Sequence, residues 1–326
     1  MIESNGDDEG LEAIVSEASG TALKHAPAGL AHHQAIHQLS KLYQCEPTWD
    51  AIKAYRIANG FNKLTERCFE ASGIECILMD DLFSTTGKVA YPYQWHDSLT
   101  ISKTKRIVRI ESLAEEIAKS MKVADIRQFT QSYLRVLVDS AKRPEVVGFK
   151  SVICYRTGLD IAVTTKEKLD SRTDSFVAYL ENGNKTGNWR LASKPLNDMI
   201  TNLAIHVAGE VGIPIQFHTG LGDSDIRLVK ANPAYMQGVI EAYPRTKFVL
   251  LHSAYPYTRE AGYLTTIYDN VYLDCNILYC GIDELVGEVF PMLSPDGQRS
   301  VLRQVMELCP TDKILFVSSN PYLANR

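Results

Sequence analysis

The fold is decided by residues 213–252, which read IPIQFHTGLGDSDIRLVKANPAYMQGVIEAYPRTKFVLLH. Short apolar runs, Ile213–His218 and Phe248–His252, enclose a polar loop and a stretch over Ala234–Tyr243 with helical spacing of its apolar residues. Apolar runs of this length, separated by a helical stretch, are typical of parallel strands joined by a crossover helix. Residues 213–252 therefore predict a β-α-β unit in which each strand ends in a histidine.

The same alternation continues on both sides of this unit. Further runs rich in apolar and β-branched residues lie at Ile74–Met79, Arg106–Ile110, Val146–Tyr155, Val271–Cys275 and Ile314–Val317. The helical patterns between the runs are Leu113–Ala141, Leu196–Glu210, Arg259–Tyr268 and Val301–Leu308, and we interpret 181–188 as a polar loop. Strands that alternate with helices predict a parallel sheet, and nearly continuous apolar strands indicate burial on both faces.

A closed barrel and a doubly wound open sheet both satisfy this pattern. No Gly-x-Gly-x-x-Gly follows any of the runs, so the nucleotide-binding open sheet has no support. We predict an α/β fold, a TIM-type (β/α)8 barrel of the metal-dependent hydrolase class. The runs number one fewer than eight and none precedes Ile74, so we expect a barrel without its first strand and with an altered last strand.

The chain is predicted to be a single domain over residues 1–326, with a helical N-terminal region at 1–73 and the barrel at 74–326. Helical spacing begins at Gly29 and ends near Cys45. Thr48 is a plausible N-cap for a second helix, and Gly60 and Gly73 are candidate helix ends.

The composition is that of an ordinary globular protein. Of 326 residues, 45% are hydrophobic, and 34 basic against 39 acidic side chains give a formal charge of −5. No basic stripe indicates a nucleic-acid partner, and no apolar run approaches the ~20 residues of a membrane span. The acidic, polar start is unlike a secretory signal and the 7 cysteines form no Cys-x-x-Cys pair, so we expect reduced thiols and a cytoplasmic location. The sequence does not decide between a monomer and a homo-oligomer.

Polar residues at the ends of the predicted strands are the candidates for chemistry, because barrel active sites lie at the carboxyl ends of the strands. His218 and His252 end successive strands and are expected side by side, where neutral imidazoles would bind Zn²⁺. The alternative is that each is a hydrogen-bonded barrel residue. His33 and His37 are four apart on a helix, but Gln34 stands where a zinc protease needs glutamate, so we interpret them as surface residues.

Other charged residues near strand ends are candidates for catalysis and substrate contact. Lys150 lies inside an apolar strand and is expected to face the barrel lumen, where it would hold a substrate carboxylate, activate a nucleophile, bind metal as a carbamate or form a structural ion pair. The candidates for substrate binding, with simple solvation as the alternative, are Asp225, Arg227, Arg259 and His96.

Several long motifs resemble the amidohydrolase-related (amidohydrolase-2) family, and within it the FluG-like subgroup. The resemblance covers nearly the whole chain and is densest in the motifs that contain the two strand-end histidines. The matching segments are Ile213–Asp225, Lys247–Tyr263, Asn270–Asp274, Cys45–Trp49, Gln94–Asp97 and Lys105–Glu111. The resemblance implies hydrolysis of an amide-type C–N bond in a small molecule, or decarboxylation of a small acid.

The resemblance also implies a divalent metal, zinc, and assigns residues to it. His218 matches the fifth-strand metal ligand, and His252 matches the sixth-strand histidine that binds metal or polarises substrate and water. Lys150 falls at the fourth strand, where some relatives carry a metal-bridging residue. Barrels of the subgroup often precede a glutamine-synthetase-like domain, which this sequence does not contain.

The sequence departs from the family pattern at both ends. No His-x-His motif, expected on the first strand, occurs in it, and Asn320 occupies or adjoins the place of the last-strand aspartate. An amide lacks the basicity to act as the general base for metal-bound water. We therefore expect a chain truncated at both ends with weakened metal binding, and a catalytically inactive barrel with an interaction or regulatory role is the alternative function.

Overall fold

In the part of the chain that the structure describes, seven parallel strands form one sheet in which every strand pairs with its neighbours in chain order. The computed structural model describes residue 16, residues 18–80, 92–163 and 172–275, residue 293 and residues 295–315. The strands are β1 Leu78–Asp80, β2 Lys105–Arg109, β3 Val146–Ser151, β4 Ile215–Phe217, β5 Phe248–Leu250, β6 Val271–Asp274 and β7 Ile314–Leu315.

The sequential strand order is that of a (β/α)8 barrel rather than a doubly wound sheet, whose order would reverse at a switch point. The predicted fold, with one strand fewer than eight in the described residues, is thereby confirmed. The helices are α1 Leu30–Tyr43, α2 Trp49–Ser72, α3 Ile110–Ser120, α4 Ile126–Ala141, α5 Thr173–Thr186, α6 Lys194–Val211, α7 Gln237–Ala242, α8 Thr258–Ile267 and α9 Pro295–Leu308.

The two faces of the sheet differ in chemistry because side chains alternate along each strand. Phe149 is paired in register with Ile215, and with Phe217 both pack into the large core beneath the helices. Lys150 and its register partner Gln216 point to the opposite side, which we call the inner face. The inner face is where a barrel of this topology carries its active site, at the carboxyl ends of the strands.

The N-terminal helices form as the sequence predicts. The hydroxyl of Thr48 caps α2 by accepting a hydrogen bond from the amide of Ala51 at 3.2 Å. Gly60 interrupts α2 with a φ of 68°, and Gly73 ends it at a φ of 60°, conformations that glycine adopts without steric cost. These helices are held by a small apolar cluster separate from the main core, made of Leu39, Tyr43 and Ile52.

Two segments differ in detail or in kind from their sequence interpretation. The helical pattern over 113–141 divides into two helices, because Asp125 caps α4 by accepting from the amides of Arg127 and Gln128 at 2.9 and 3.0 Å. The segment interpreted as a polar loop at 181–188 mostly lies in α5, which ends at Gly187. Buried Phe176 and Leu180 stabilise α5 through tertiary packing, which outweighs its polar composition.

Within the described residues, no helix is long and apolar enough to cross a membrane. The last strand is described only to Leu315, so Asn320 lies outside the described residues.

Candidate active site

His218 and His252 meet at the carboxyl ends of the adjacent strands β4 and β5. His218 Nδ1 and His252 Nε2 are 3.1 Å apart, and the ring centroids are separated by 4.4 Å. Both side chains are buried. The structure therefore brings together the two histidines that the sequence singled out, on the side of the sheet where a barrel enzyme binds substrate.

The hydrogen bonds of His218 determine which ring nitrogen carries its proton. Nε2 lies 2.7 Å from the carbonyl oxygen of Leu221, which can only accept, so Nε2 is the protonated nitrogen. Nδ1 then presents its lone pair to His252. Burial is the main cause that holds the pKa of His218 well below its ordinary value of 6.5, and the charges of His252 and Lys150 lower it further. A neutral ring whose Nδ1 carries a lone pair is what metal coordination or proton acceptance requires.

The histidine pair fits two positions of a metal site. Two nitrogens each about 2.0–2.1 Å from a tetrahedral Zn²⁺ would lie about 3.3 Å apart, close to the separation seen here. Among the described residues, however, no group of three or more His, Cys, Asp or Glu side chains could hold an ion. A zinc site normally has three or four protein ligands. The described part of the chain thus supplies one half of such a site.

Tyr155 is a site residue that sequence reasoning missed. Its hydroxyl lies 3.1 Å from His218 Nε2 and accepts a hydrogen bond from the amide of Asp223 at 3.1 Å. A Cβ on Gly222 would collide with this hydroxyl and approach His218 Nε2 to 2.8 Å. The sequence signal that could have identified Tyr155 is its position as the last residue of the apolar run Val146–Tyr155, where the carboxyl end of a strand is expected. Tyr155 and the glycine-containing loop after β4 together fix the orientation of His218.

Lys150, Arg109 and Asp80 form a charged cluster on β3, β2 and β1. The Nε of Arg109 donates to Asp80 Oδ2 at 2.9 Å, and its terminal nitrogen forms a second, short contact with the same oxygen. Lys150 Nζ lies 3.5 Å from that oxygen. The side chain of Lys150 thus lies on the inner face of the sheet, as predicted from the cost of burying its charge. Asp80 and Arg109 are the last residues of β1 and β2.

The backbone at His252 adopts a rare conformation. His252, Ser253 and Ala254 have φ values of 67°, 50° and 50°, in the left-handed region that non-glycine residues seldom occupy. The hydroxyl of Thr219 anchors the preceding carbonyl, Leu251 O, at 2.6 Å. Strained conformations of this kind persist only where the surrounding structure enforces them, and they cluster at functional sites.

The predicted substrate-binding residues are dispersed. Asp225 forms an ion pair with Arg190 at 3.0 Å in the loop beside His218, and Arg227 is exposed in the same loop. Arg259 contacts Glu307 of α9 at 3.7 Å, in the outer helix layer.

His96 is not brought to the histidine pair. Its neighbour Asp97 accepts a hydrogen bond from the amide of Thr104 at 2.8 Å, one residue before β2 begins. The 3-10 helix Tyr93–Ser98 that carries His96 therefore lies at the amino end of β2, opposite the end that carries the active site.

Comparison with known proteins agrees with this geometry. Protein fluG of Emericella nidulans is 39% identical over an alignment of 346 positions that covers 97% of this chain and 38% of fluG. The chain therefore spans about two fifths of the length of that relative. The crystal structure of a proposed metal-dependent hydrolase from Lactobacillus casei ATCC 334 has a TM-score of 0.77 and 26% identity, over 96% of this chain and 78% of the other. The amidohydrolase family profile matches residues 119–324, and the chain belongs to the amidohydrolase family.

Proposed function

We propose that this chain is a metal-dependent hydrolase that cleaves an amide-type C–N bond of a small molecule, with zinc as its metal. The observation that carries the proposal is the 3.1 Å approach of His218 Nδ1 and His252 Nε2 at the carboxyl ends of β4 and β5. Membership of the amidohydrolase family and the similarity to a proposed metal-dependent hydrolase support the same reaction class.

The residues of the site have separable roles in this proposal. His218 and His252 would hold the ion, which when bound polarises a carbonyl and lowers the pKa of water to about 7. Tyr155 and the carbonyl of Leu221 keep His218 in the Nε2-protonated form, so that Nδ1 faces the reacting centre. Lys150 contributes a positive charge to the same face of the sheet.

A second candidate function is a catalytically silent barrel with an interaction or regulatory role. The described residues favour it in one respect, since they bring only two metal-binding side chains together. Decarboxylation of a small acid, the other reaction that the sequence resemblance implies, would use the same site. The hydrolytic and decarboxylating reactions are separated by their products, an amine or ammonia in one case and carbon dioxide in the other.

Metal content of the purified chain tests the proposal. We expect about one zinc ion per chain by elemental mass spectrometry, because two neutral imidazoles are in place to bind it. The His218→Ala/His252→Ala double variant should lose this ion.

The matched control for metal content is His33→Ala/His37→Ala, which removes two exposed histidines spaced for adventitious binding on α1. It should retain the ion. Hydrolysis of a panel of small amides, followed by amine release, then completes the test. Equal metal content in all three proteins, or none in any, would refute the proposed metal-dependent activity and favour the silent barrel.

We also propose a cellular location and binding partners for the chain. The six cysteines in the described part of the chain are free thiols, which supports a reducing, cytoplasmic location. The proposed partners are a small-molecule substrate and, in solution, further copies of the chain. A longer protein such as fluG would add segments beyond the barrel.

A further inference from the structure

Glu111 carries a completely buried carboxyl at the carboxyl end of the sheet, where β2 passes into α3. Its Oε1 accepts two hydrogen bonds from the end of the neighbouring strand β3, one from the hydroxyl of Ser151 at 2.6 Å and one from the amide of Val152 at 3.0 Å. The Ser151 hydroxyl in turn accepts from the amide of Ile153 at 3.2 Å. One carboxyl oxygen thus fixes the last residue of β3 and the start of the loop that follows it.

Ser151 also holds the backbone of the active-site residue His218. The carbonyl oxygen of Ser151 accepts a hydrogen bond from the amide of His218 at 3.1 Å, directly after the last paired residue of β4. Ser151 is therefore bound on two sides, by Glu111 through its hydroxyl and by His218 through its carbonyl. Because Ser151 is itself buried, a change in its position moves the backbone that carries the His218 ring.

A second series of contacts leads from the same loop to the ring of His218. The carbonyl of Val152 accepts from the amide of Tyr155 at 3.0 Å and closes the 3-10 turn that ends at this tyrosine. The hydroxyl of Tyr155 lies 3.1 Å from His218 Nε2. Through Val152 and Tyr155, the Glu111 carboxyl is therefore linked to the imidazole ring as well as to its backbone.

A buried carboxyl is a costly group with which to hold a loop. Burial is the main cause that raises the pKa of Glu111 above its ordinary value, and the positive charges of Arg156 and Arg109 offset only part of this rise. The other carboxyl oxygen, Oε2, has no hydrogen-bond partner among the described residues. Stability by itself favours an apolar side chain at such a position, whereas residues with perturbed pKa values cluster at functional sites. The hydrogen bonds that lead from Glu111 to the histidine pair supply a functional reason for its presence.

We propose that Glu111 is a positioning residue that holds the ring of His218, through the end of β3, with Nδ1 facing His252. The inference rests on the proposed function for the reaction, but the state of the ring is measured without any turnover. The alternative is a purely structural role, in which Glu111 only joins β2 to β3. In that case the ring of His218 in the folded chain would not depend on this carboxyl.

NMR of the metal-free chain tests the inference. The ring nitrogen signals of His218, assigned with His218→Ala, report which ring nitrogen carries the proton, and we expect the Nε2-protonated form in the parent chain. Glu111→Leu removes the acceptor of Ser151 and Val152. The signals should then move toward the Nδ1-protonated form, by about a tenfold change in the ratio of the two neutral forms, the effect of losing about one hydrogen bond.

Two further variants separate positioning from a structural role. Glu111→Gln keeps an amide oxygen that can accept from Ser151 and Val152, and it should restore the signals of the parent chain. Ser151→Ala removes the hydroxyl that Glu111 holds but keeps the carbonyl that binds the amide of His218. It should therefore move the His218 signals in the same direction as Glu111→Leu.

Thr246→Val is the matched control. It removes a different buried hydroxyl, which donates to Ile205 O at 2.8 Å near the amino end of β5, and it should leave the His218 signals unchanged. Parent-like signals in Ser151→Ala and in folded Glu111→Leu would overturn the inference. Equal changes in Glu111→Leu and Glu111→Gln, or an equal change in Thr246→Val, would overturn it as well. If Glu111→Leu does not fold, Ser151→Ala decides: changed signals support the inference, and parent-like signals overturn it.

The outcome is independent of the metal experiment. A chain that holds no zinc but whose His218 signals depend on Glu111 would refute the hydrolase proposal alone. Zinc binding and amide hydrolysis in a chain whose His218 signals do not depend on Glu111 would refute this inference alone.

Discussion

At the scale of single residues, the site depends on backbone conformations that are costly by themselves. A left-handed conformation costs about 1–2 kcal/mol for a residue with a Cβ. Ser253 has a φ of 50°, and its buried hydroxyl has no hydrogen-bond partner among the described residues. Both features destabilise the folded chain, and the packing around His252 maintains them.

Ser253→Gly should therefore stabilise the protein. Glycine adopts a positive φ freely and removes the unsatisfied hydroxyl, while its greater freedom in the unfolded chain offsets part of the gain. We expect a net increase of about 1 kcal/mol in the free energy of unfolding, measured by urea denaturation. Gly220→Ala is the converse control, because at a φ of 71° its Cβ would collide with the carbonyl of Tyr255. A loss of stability in Ser253→Gly would contradict this account of strain.

At the scale of elements, the 3-10 helix Tyr93–Ser98 is a structural support at the amino end of β2. Trp95 packs against Phe61 of α2 with ring centroids 5.7 Å apart, and Asp97 holds the start of β2. His96 is buried beside Trp95, and its Nε2 has no hydrogen-bond partner among the described residues. The folded chain therefore accommodates His96 in its neutral form, because a charged ring would be buried without a partner for Nε2 among the described residues.

This burial makes stability depend on pH. Burial is the main cause that lowers the pKa of His96 below 6.5, so the unfolded chain binds a proton more readily than the folded one. The contribution is present above pH 6.5 and is lost as the pH falls toward the lowered folded value. His96→Phe should thus lose less unfolding free energy than the parent chain when urea denaturation is repeated below pH 6.5.

A residual pH dependence is expected in His96→Phe, because the pKa of buried His218 is lowered as well. His206 is exposed on α6, and His206→Ala should keep the full pH dependence of the parent. The same pH dependence in His96→Phe and in the parent would show that His96 does not contribute.

At the scale of the whole molecule, two apolar clusters hold the chain. The large one joins the sheet to α3–α9, whereas the small one, with Leu39, Tyr43 and Ile52, joins α1 to α2. Few residues sustain the small cluster, so the N-terminal helices should open with a lower free energy than the sheet.

Ile52→Ala should separate the two clusters experimentally. Ile52 is fully buried, and truncation of a buried isoleucine costs about 2–5 kcal/mol. We expect hydrogen exchange, followed by mass spectrometry, to accelerate over residues 30–72 while β3–β6 keep their protection. Ile205→Ala, in the main core on α6, should reduce protection throughout. A uniform loss in Ile52→Ala would show instead that the chain unfolds as one cooperative unit.

The sequence by itself determined the succession of strands and helices, because short, nearly continuous apolar runs and helical spacing of apolar residues record which segments are buried. It also placed His218, His252 and Lys150 at the carboxyl ends or on the inner face, since strand position alone decides that side of a parallel sheet. It could not show that α5 is a helix, because Phe176 and Leu180 act through packing against distant elements. Local composition there is polar and resembles a loop.

Only the tertiary structure decided how these residues combine. It showed that Tyr155 and the loop after β4 orient His218, that Asp80 pairs with both Lys150 and Arg109, and that His96 lies at the opposite end of β2. These relations join residues far apart in the chain, and no local pattern encodes a distance between strands. The order of strands and helices therefore comes from the sequence, whereas the contacts between charged groups and between rings come from the pairing of neighbouring strands in the sheet.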